Sequence, residues 1–367
     1  MKVKKFSDKS GQVIIYTVVD NENNEIKPVT DFLKFIKVKN YSPNTIKNYA
    51  FDLKAYFKYL FQIDKQYDKI TPGELVEFLN FLKSGKFSIL RNISSSKSLS
   101  TSTIKRVLAS ISSFYNWLEF SSYIPTSTNP NIMVIDHKIY PTNIPYKSFL
   151  SFAMKQNQIK SKLIQIKQPK RLPRPIGEDD FNLLLSSLNT WRDKAILFLG
   201  AQGGMRIGEM LGLCFDDINF RKKEIKIRFR DNNPNESRVK GMRDRILFIE
   251  EPEALSCLNN YILHERPASN SPYIFLSAKG KSRGEALTYQ GIYTVFEYHC
   301  NKLGIRKSFT IHSLRHSHAT KMYEKGMSLL SLQKRLGHAS PQTTQIYTQV
   351  SDEKLKVEYL NVINNLK

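Results

Sequence analysis

Four short segments in the second half of the chain hold residues that could do chemistry on a phosphate ester. In Gly203-Gly204-Met205-Arg206-Ile207-Gly208-Glu209, glycines lead into a helix with Arg206 in its first turn. Arg238-Val239-Lys240-Gly241-Met242-Arg243-Asp244-Arg245 reads as a polar hairpin turn ahead of a strand. His312-Ser313-Leu314-Arg315-His316-Ser317-His318 places His312 and Arg315 one helical turn apart, pointing the same way. Leu336-Gly337-His338 is followed nine residues later by Tyr347. A phosphodiester resists attack because it is anionic, and fixed cations lower the barrier by neutralising charge that grows in the transition state. Two arginines can hold its non-bridging oxygens in paired hydrogen bonds, while histidines and a lysine add proton donors and acceptors. A tyrosine supplies a nucleophile that leaves a covalent intermediate. Together the set can cleave a strand without a metal.

Each segment alone has a plainer reading. Arg206 could simply pair with Glu209 on an exposed helix face. A basic turn is usually solvated, and any one of 18 tyrosines is more often structural than catalytic. A zinc reading of His312 with His316 lacks the intervening Glu and a third ligand. Cys214, Cys257 and Cys300 form no C-x-x-C pair, which argues against a disulfide framework or a zinc site.

The elements that must position these residues follow from length and pattern. The 367 residues, 41% hydrophobic and 24% charged, have globular composition and length for two domains. The net charge of +23 makes a field whose commonest partner is a polyphosphate backbone; an anionic membrane surface is the bland alternative. No stretch approaches 18 consecutive apolar residues, and the basic start runs into Asp8 and Lys9 instead of an apolar core. Membrane insertion and secretion are therefore not expected, and the expected location is the cytoplasm.

Residues 1–25 read as a small β-hairpin appendage. Helices follow: one capped by Thr30 with Phe32, Leu33, Phe35 and Ile36 on one face, one opened by Ser42-Pro43, one opened by Thr71-Pro72 with Glu74, and a last one from Thr103 to Glu119 after a Ser-rich loop. This makes residues 27–128 a helical domain. Two stretches, Glu77 to Glu119 and Asp136 to Glu178, carry no acid between their ends. Charge runs are usually solvated faces, but these fit phosphate tracking and make Lys105, Arg106, Lys170, Arg171 and Arg174 candidate DNA contacts. Residues 129–175 read as a basic linker, and 176–352 as a mixed domain with a strand pair at Lys222–Phe229 and Arg238–Ile249. In the tail, 353–367, Leu355, Tyr359, Val362, Ile363 and Leu366 form an apolar helical stripe.

The four segments, in this order, resemble the tyrosine recombinase family, the phage integrase and Xer-type enzymes, over residues from about 27 to 352. The leader and Ser42-Pro43-Asn44-Thr45-Ile46-Lys47-Asn48-Tyr49 look most like transposases of site-specific transposons. The resemblance implies a mainly α fold with a small β component: a SAM-like core-binding domain and a mixed α/β catalytic domain. It implies a site-specific recombinase that cleaves and rejoins DNA through a 3′-phosphotyrosyl bond to Tyr347. Arg206 and Arg315 would bind the scissile phosphate, His338 would assist them, His312 would serve as general base or acid, and Lys240 would be the general acid, with Arg243 competing for that role. Glu209 would orient Arg206, and His316 and His318 would pack or hydrogen-bond. No cofactor or metal is implied. The implied partners are double-stranded DNA, further copies of the chain in a tetrameric synapse, and accessory proteins. Two other readings stay open: type IB topoisomerase-like cleavage and rejoining, which a Holliday-junction product would exclude, and a non-catalytic DNA-binding regulator on the same fold.

Overall fold

The computed structural model describes residues 1–7, 13–84, 98–125, 128–136, 158–167, 175–230, 233–235, 237, 244–305 and 309–338. Two compact units divide the chain, Met1–Lys170 and Arg171–Lys367.

The first unit opens with strands β1 (Lys2–Ser7) and β2 (Val13–Val19), paired antiparallel. Tyr16 and Val18 of β2 enter the helical core, so the hairpin is part of that core's wall. Helix α1 (Lys27–Val38) starts three residues before Thr30, because Pro28 already fits the first turn. Thr30 is therefore inside the helix, and its hydroxyl bonds that of Thr17 on β2. For α2 (Pro43–Gln62), Ser42 caps the start, its Oγ accepting the Thr45 N–H at 3.2 Å. For α3 (Pro72–Lys83), Thr71 and Glu74 form a reciprocal capping box, with bonds of 3.3 and 2.9 Å. Helix α4 (Thr101–Phe120) begins two residues ahead of the expected Thr103, because Ser100 accepts the Thr103 N–H at 3.3 Å.

Apolar faces of the four helices close on Phe32, Leu53, Tyr56, Phe78, Phe114 and Tyr115. Tyr115 donates its hydroxyl proton to the Tyr67 carbonyl at 2.6 Å, so Tyr56 donates to Tyr115 at 2.8 Å. The span expected to be plain linker contains a paired hairpin, β3 (Ile132–Asp136) with β4 (Gln158–Lys162). Its root is fastened to α4 by Asn131, whose Nδ2 donates to Ser112 Oγ at 2.7 Å and whose Oδ1 accepts the Ile164 N–H at 2.9 Å. The apolar run Ile132-Met133-Val134-Ile135, three of its four residues β-branched, is the sequence signal for this strand.

In the second unit α5 (Glu178–Ser187) precedes α6 (Trp191–Ala201), which is buried along most of its length through Ala195, Ile196, Leu197 and Leu199. A short α7 (Ile207–Leu211) follows, then strands β5 (Ile218–Asn219), β6 (Glu224–Ile227) and β7 (Arg245–Phe248) in one antiparallel sheet. The described strands are shorter than the expected pair, and residues 238–243 lie outside the described residues. Helices α8 (Pro252–Asn260), α9 (Tyr289–Lys302), α10 (Ile311–Glu324) and α11 (Leu329–Leu336) follow among the described residues. Its core joins α6, α7, the sheet, α8 and α9 with Leu314 of α10, while Ala319, Leu332 and Leu336 seal α10 against α11. No described helix is long and apolar enough to cross a membrane.

Candidate functional site

The site grows from two turns that only glycine fits well. Gly204 has φ +61°, and a Cβ there would meet His318 Cδ2 at 2.5 Å, so the chain between α6 and α7 can pass directly over α10. Gly337 ends α11 in the left-handed conformation, φ +64°, and turns the chain so that His338 follows at once. The next residue of interest on each side is therefore placed by backbone: Arg206 two positions after Gly204, and His338 one after Gly337.

Arg206 immediately precedes α7. Glu209 accepts the Arg206 backbone N–H at 2.9 Å, which caps the helix, and also accepts Arg206 Nη1 at 2.9 Å. Nη1 and Nη2 of Arg206 reach across to the carbonyls of Leu336 and Gly337, each at 3.3 Å. From α10, Arg315 donates Nη1 to the Gly204 carbonyl at 2.6 Å and Nη2 to the Leu336 carbonyl. Two guanidinium groups from separate elements thus meet at Leu336 O, beside His338. The plainer reading of Arg206, a pair on an exposed face, does not survive: its side chain is 16% exposed and that of Glu209 is fully buried.

A third arginine, which sequence reasoning quoted without a role, completes the cluster. Arg245 at the start of β7 grips Glu209 with both ends of its fork, Nη1 to Oε1 at 3.0 Å and Nη2 to Oε2 at 2.7 Å, and its Nε donates to the Arg335 carbonyl at 2.9 Å. Burial alone would push the Glu209 carboxyl up. Hydrogen bonding and charge from Arg245, with Arg315 and Arg206 adding charge, outweigh it and hold the carboxyl below its ordinary range. One carboxylate among three arginines leaves the cluster with an excess of positive charge, which is a site for an anion.

The histidines separate into three situations. His338 is buried, and burial, followed by the charges of Arg315, Arg206 and Arg245, depresses it to about 3, so it stands as a neutral imidazole among cations. His312 is exposed near the start of α10, and its charge, after burial itself, helps to lower His316 to about 4. His316 therefore belongs to the same electrostatic neighbourhood as Arg315 and His338. His318 accepts Arg335 Nε at its Nε2, 3.0 Å, and lies 3.1 Å through Nδ1 from the Ala201 carbonyl, tying α10, α11 and the end of α6 together.

Tyr347, Lys240 and Arg243 lie outside the described residues, as do Lys170, Arg171, Arg174 and the tail 353–367. The described residues that flank 238–243 are tied into the fold. Asn235 Nδ2 donates to the carbonyls of Leu211, at the end of α7, and Leu287, each at 2.9 Å. Arg230 forks onto buried Asp217 at 2.8 and 2.9 Å, and the Phe229 N–H donates to Asp244 at 2.8 Å. In the first unit Lys105 is exposed on α4, whereas Arg106 is engaged by buried Asp52 of α2, to which Ser110 also donates at 2.8 Å. Arg106 thus has a structural tie that its sequence context did not reveal. Among the described residues no cluster of His, Cys, Asp and Glu could hold a metal.

Comparison with known proteins bears on both units. The model described as the phage integrase family matches residues 175–354, and that of the phage integrase N-terminal SAM-like domain matches residues 29–120. Transposase A from transposon Tn554 of Staphylococcus aureus is 30% identical over 366 residues, covering 98% of this chain and 97% of that protein. Tyrosine recombinase XerD of Listeria innocua is 30% identical over 348 residues, covering 90% and 96%. Among solved structures, XerH site-specific recombinase bound to difH substrate in a pre-cleavage complex superposes with a TM-score of 0.58 at 20% identity, covering 92% of this chain and 85% of that one. A lambda integrase dimer bound to a COC′ core site gives 0.55 at 18% identity, covering 88% and 76%. The two structures share this fold.

Proposed function

The chain belongs to the phage integrase family of tyrosine recombinases, and from that membership we propose how its own residues act. It is a site-specific DNA recombinase, and Tn554 transposase as a relative along nearly the whole length favours the transposase branch of that activity. Arg206 and Arg315 take the non-bridging oxygens of the scissile phosphate. The Tyr347 oxygen attacks phosphorus, the bond to the 5′ oxygen breaks, and Lys240 gives that oxygen its proton. The adduct is a 3′-phosphotyrosine, and the 5′-hydroxyl of a partner strand later attacks it, restoring a phosphodiester and freeing the tyrosine. Two phosphate esters exchange without net loss of bond energy, so the cycle needs no nucleotide hydrolysis.

The observation that carries this reading is the meeting of Arg206 and Arg315 at the Leu336 carbonyl beside neutral His338. A phosphate arriving there would exchange those carbonyl contacts for charge-assisted bonds, and its negative charge would raise His338 toward the protonated, donating form. In this reading His312, exposed one turn from Arg315, exchanges the tyrosine's proton with solvent. The duplex and further copies of the chain are the partners, in a synapse within the cytoplasm where the DNA lies.

The test is a nicked suicide duplex carrying the recombination site, which traps the covalent adduct. Tyr347→Phe is expected to form no adduct and to keep its DNA affinity, since no positive charge is lost. An adduct in that variant, or one mapping to Tyr293 or Tyr359, refutes the assignment. Holliday junctions made by the unaltered protein on paired sites distinguish strand exchange from simple relaxation.

A further inference from the structure

Glu209 offers two oxygens and about four acceptor positions. All are taken: Oε1 by Arg206 Nη1 and Arg245 Nη1, Oε2 by the Arg206 backbone N–H and Arg245 Nη2. Arg315 stands farther off, 3.9 Å from Oε2. Without Arg245, two acceptor positions on a fully buried carboxylate would open, and Arg206 is the cation nearest to fill them. It would swing into a fork with Glu209 and lose its reach toward Leu336 and Gly337. Arg245 also touches the other side of the site. A Cβ on Gly337 would lie 2.8 Å from Arg245 Nη1, so the guanidinium forms the floor of the turn that leads to His338. Its Nε bond to Arg335 O holds the last turn of α11.

We propose that Arg245 is a positioning residue of the cleavage site: by saturating Glu209 it keeps Arg206 turned toward the phosphate, and by underlying Gly337 it seats His338. The proposal rests on the roles given above to Arg206 and His338. Arg245 itself does not touch the DNA in this scheme. Its side chain is 10% exposed and its guanidinium is already committed to three acceptors.

Single-turnover cleavage of the suicide duplex by the full chain separates this role from general support of the fold. A structural role alone lowers the fraction of bound protein that ever cleaves, whereas a positioning role lowers the rate constant of the fraction that does. Arg245→Met is expected to slow the rate constant about 100-fold at unchanged amplitude and DNA affinity, the scale of loss when a reacting group is slightly misplaced. Combining it with Glu209→Gln is expected to cost clearly less than the product of the two single losses, because the Glu209 contact is shared and only the support of Gly337 is lost in addition. Arg245→Lys keeps the charge but not the fork, and is expected to slow cleavage about tenfold; it carries the same test if the Met variant does not fold. Normal rate constants in these variants, a fall in amplitude only, or fully multiplicative losses in the double variant would each overturn the proposal. Arg206→Ala serves as control. Normal cleavage by that variant removes the underlying reading, while slow cleavage by it beside normal Arg245 variants removes the positioning role alone.

Discussion

His318 should make the second unit lose stability in mild acid. An arginine has no acceptor, so the bond from Arg335 Nε fixes His318 Nε2 as the acceptor and leaves Nδ1 to donate its proton to Ala201 O. A second proton on Nε2 would point at a guanidinium. Burial first, and the charge of Arg335 next, lower His318 from 6.5 to about 4. The folded-state value lies below the unfolded one, so between those limits the unfolded chain binds a proton that the folded chain does not. The contribution is present in full above pH 6.5 and is lost as pH falls toward 4. A gap of 6.5 − 4 = 2.5 units, at about 1.36 kcal/mol per unit, is on the order of 3 kcal/mol. By pH 5, roughly 2 kcal/mol of it should be gone. His318→Gln provides the comparison, since a carboxamide can accept from Arg335 and donate to Ala201 without titrating. The chain's two tryptophans, Trp117 in the first unit and Trp191 in the second, supply the assay. In a Trp117→Phe background, urea unfolding followed by Trp191 fluorescence reports the second unit. Measured at pH 7 and pH 5, the unaltered His318 protein should lose about 2 kcal/mol more than the Gln variant. His316 and His338 are common to both and cancel in the difference. Parallel losses in the two proteins would refute the fixed-tautomer argument.

Gly337→Ala should slow cleavage while sparing DNA binding: a left-handed alanine costs about 1–2 kcal/mol, and its Cβ would push Arg245 away from Glu209. Normal single-turnover cleavage by that variant would count against the turn's role. Lys240→Ala should be restored when the leaving 5′ oxygen is replaced by sulfur, because a thiolate leaves without a general acid; rescue of Arg243→Ala instead would move the role three residues along. Asp52→Ala should destabilise the first unit by roughly 2 kcal/mol, since Arg106 loses its partner and Ser110 keeps only the Arg106 carbonyl, 3.1 Å away, as acceptor. Urea unfolding read by Trp117 checks it, and an unchanged midpoint would show that the pair contributes nothing.

What could be read from the sequence was local. Ser42-Pro43 and Thr71-Pro72-x-Glu74 fixed the starts of α2 and α3 because capping is completed within three residues of the chain. Thr30 points to a later start for α1, but Pro28 nearby is an equally local signal and is the one the helix uses, which leaves the Thr30 hydroxyl to bond Thr17 across the fold. The order of Arg206, His312-x-x-Arg315 and Leu336-Gly337-His338 along the chain was also legible, and the phage integrase family model matches the span that carries it, residues 175–354. Their arrangement was decided only by tertiary structure. Arg245 meets Glu209 across 36 residues, Arg335 reaches Gln202 across 133, and Arg315 reaches Gly204 across 111. A linear pattern carries no trace of such pairings, because one arginine in a basic turn looks like any other until a buried carboxylate needs it. Four short segments could be picked out along the chain, but the charge balance that joins their described arginines in one cluster comes from burying Glu209 among Arg206, Arg245 and Arg315.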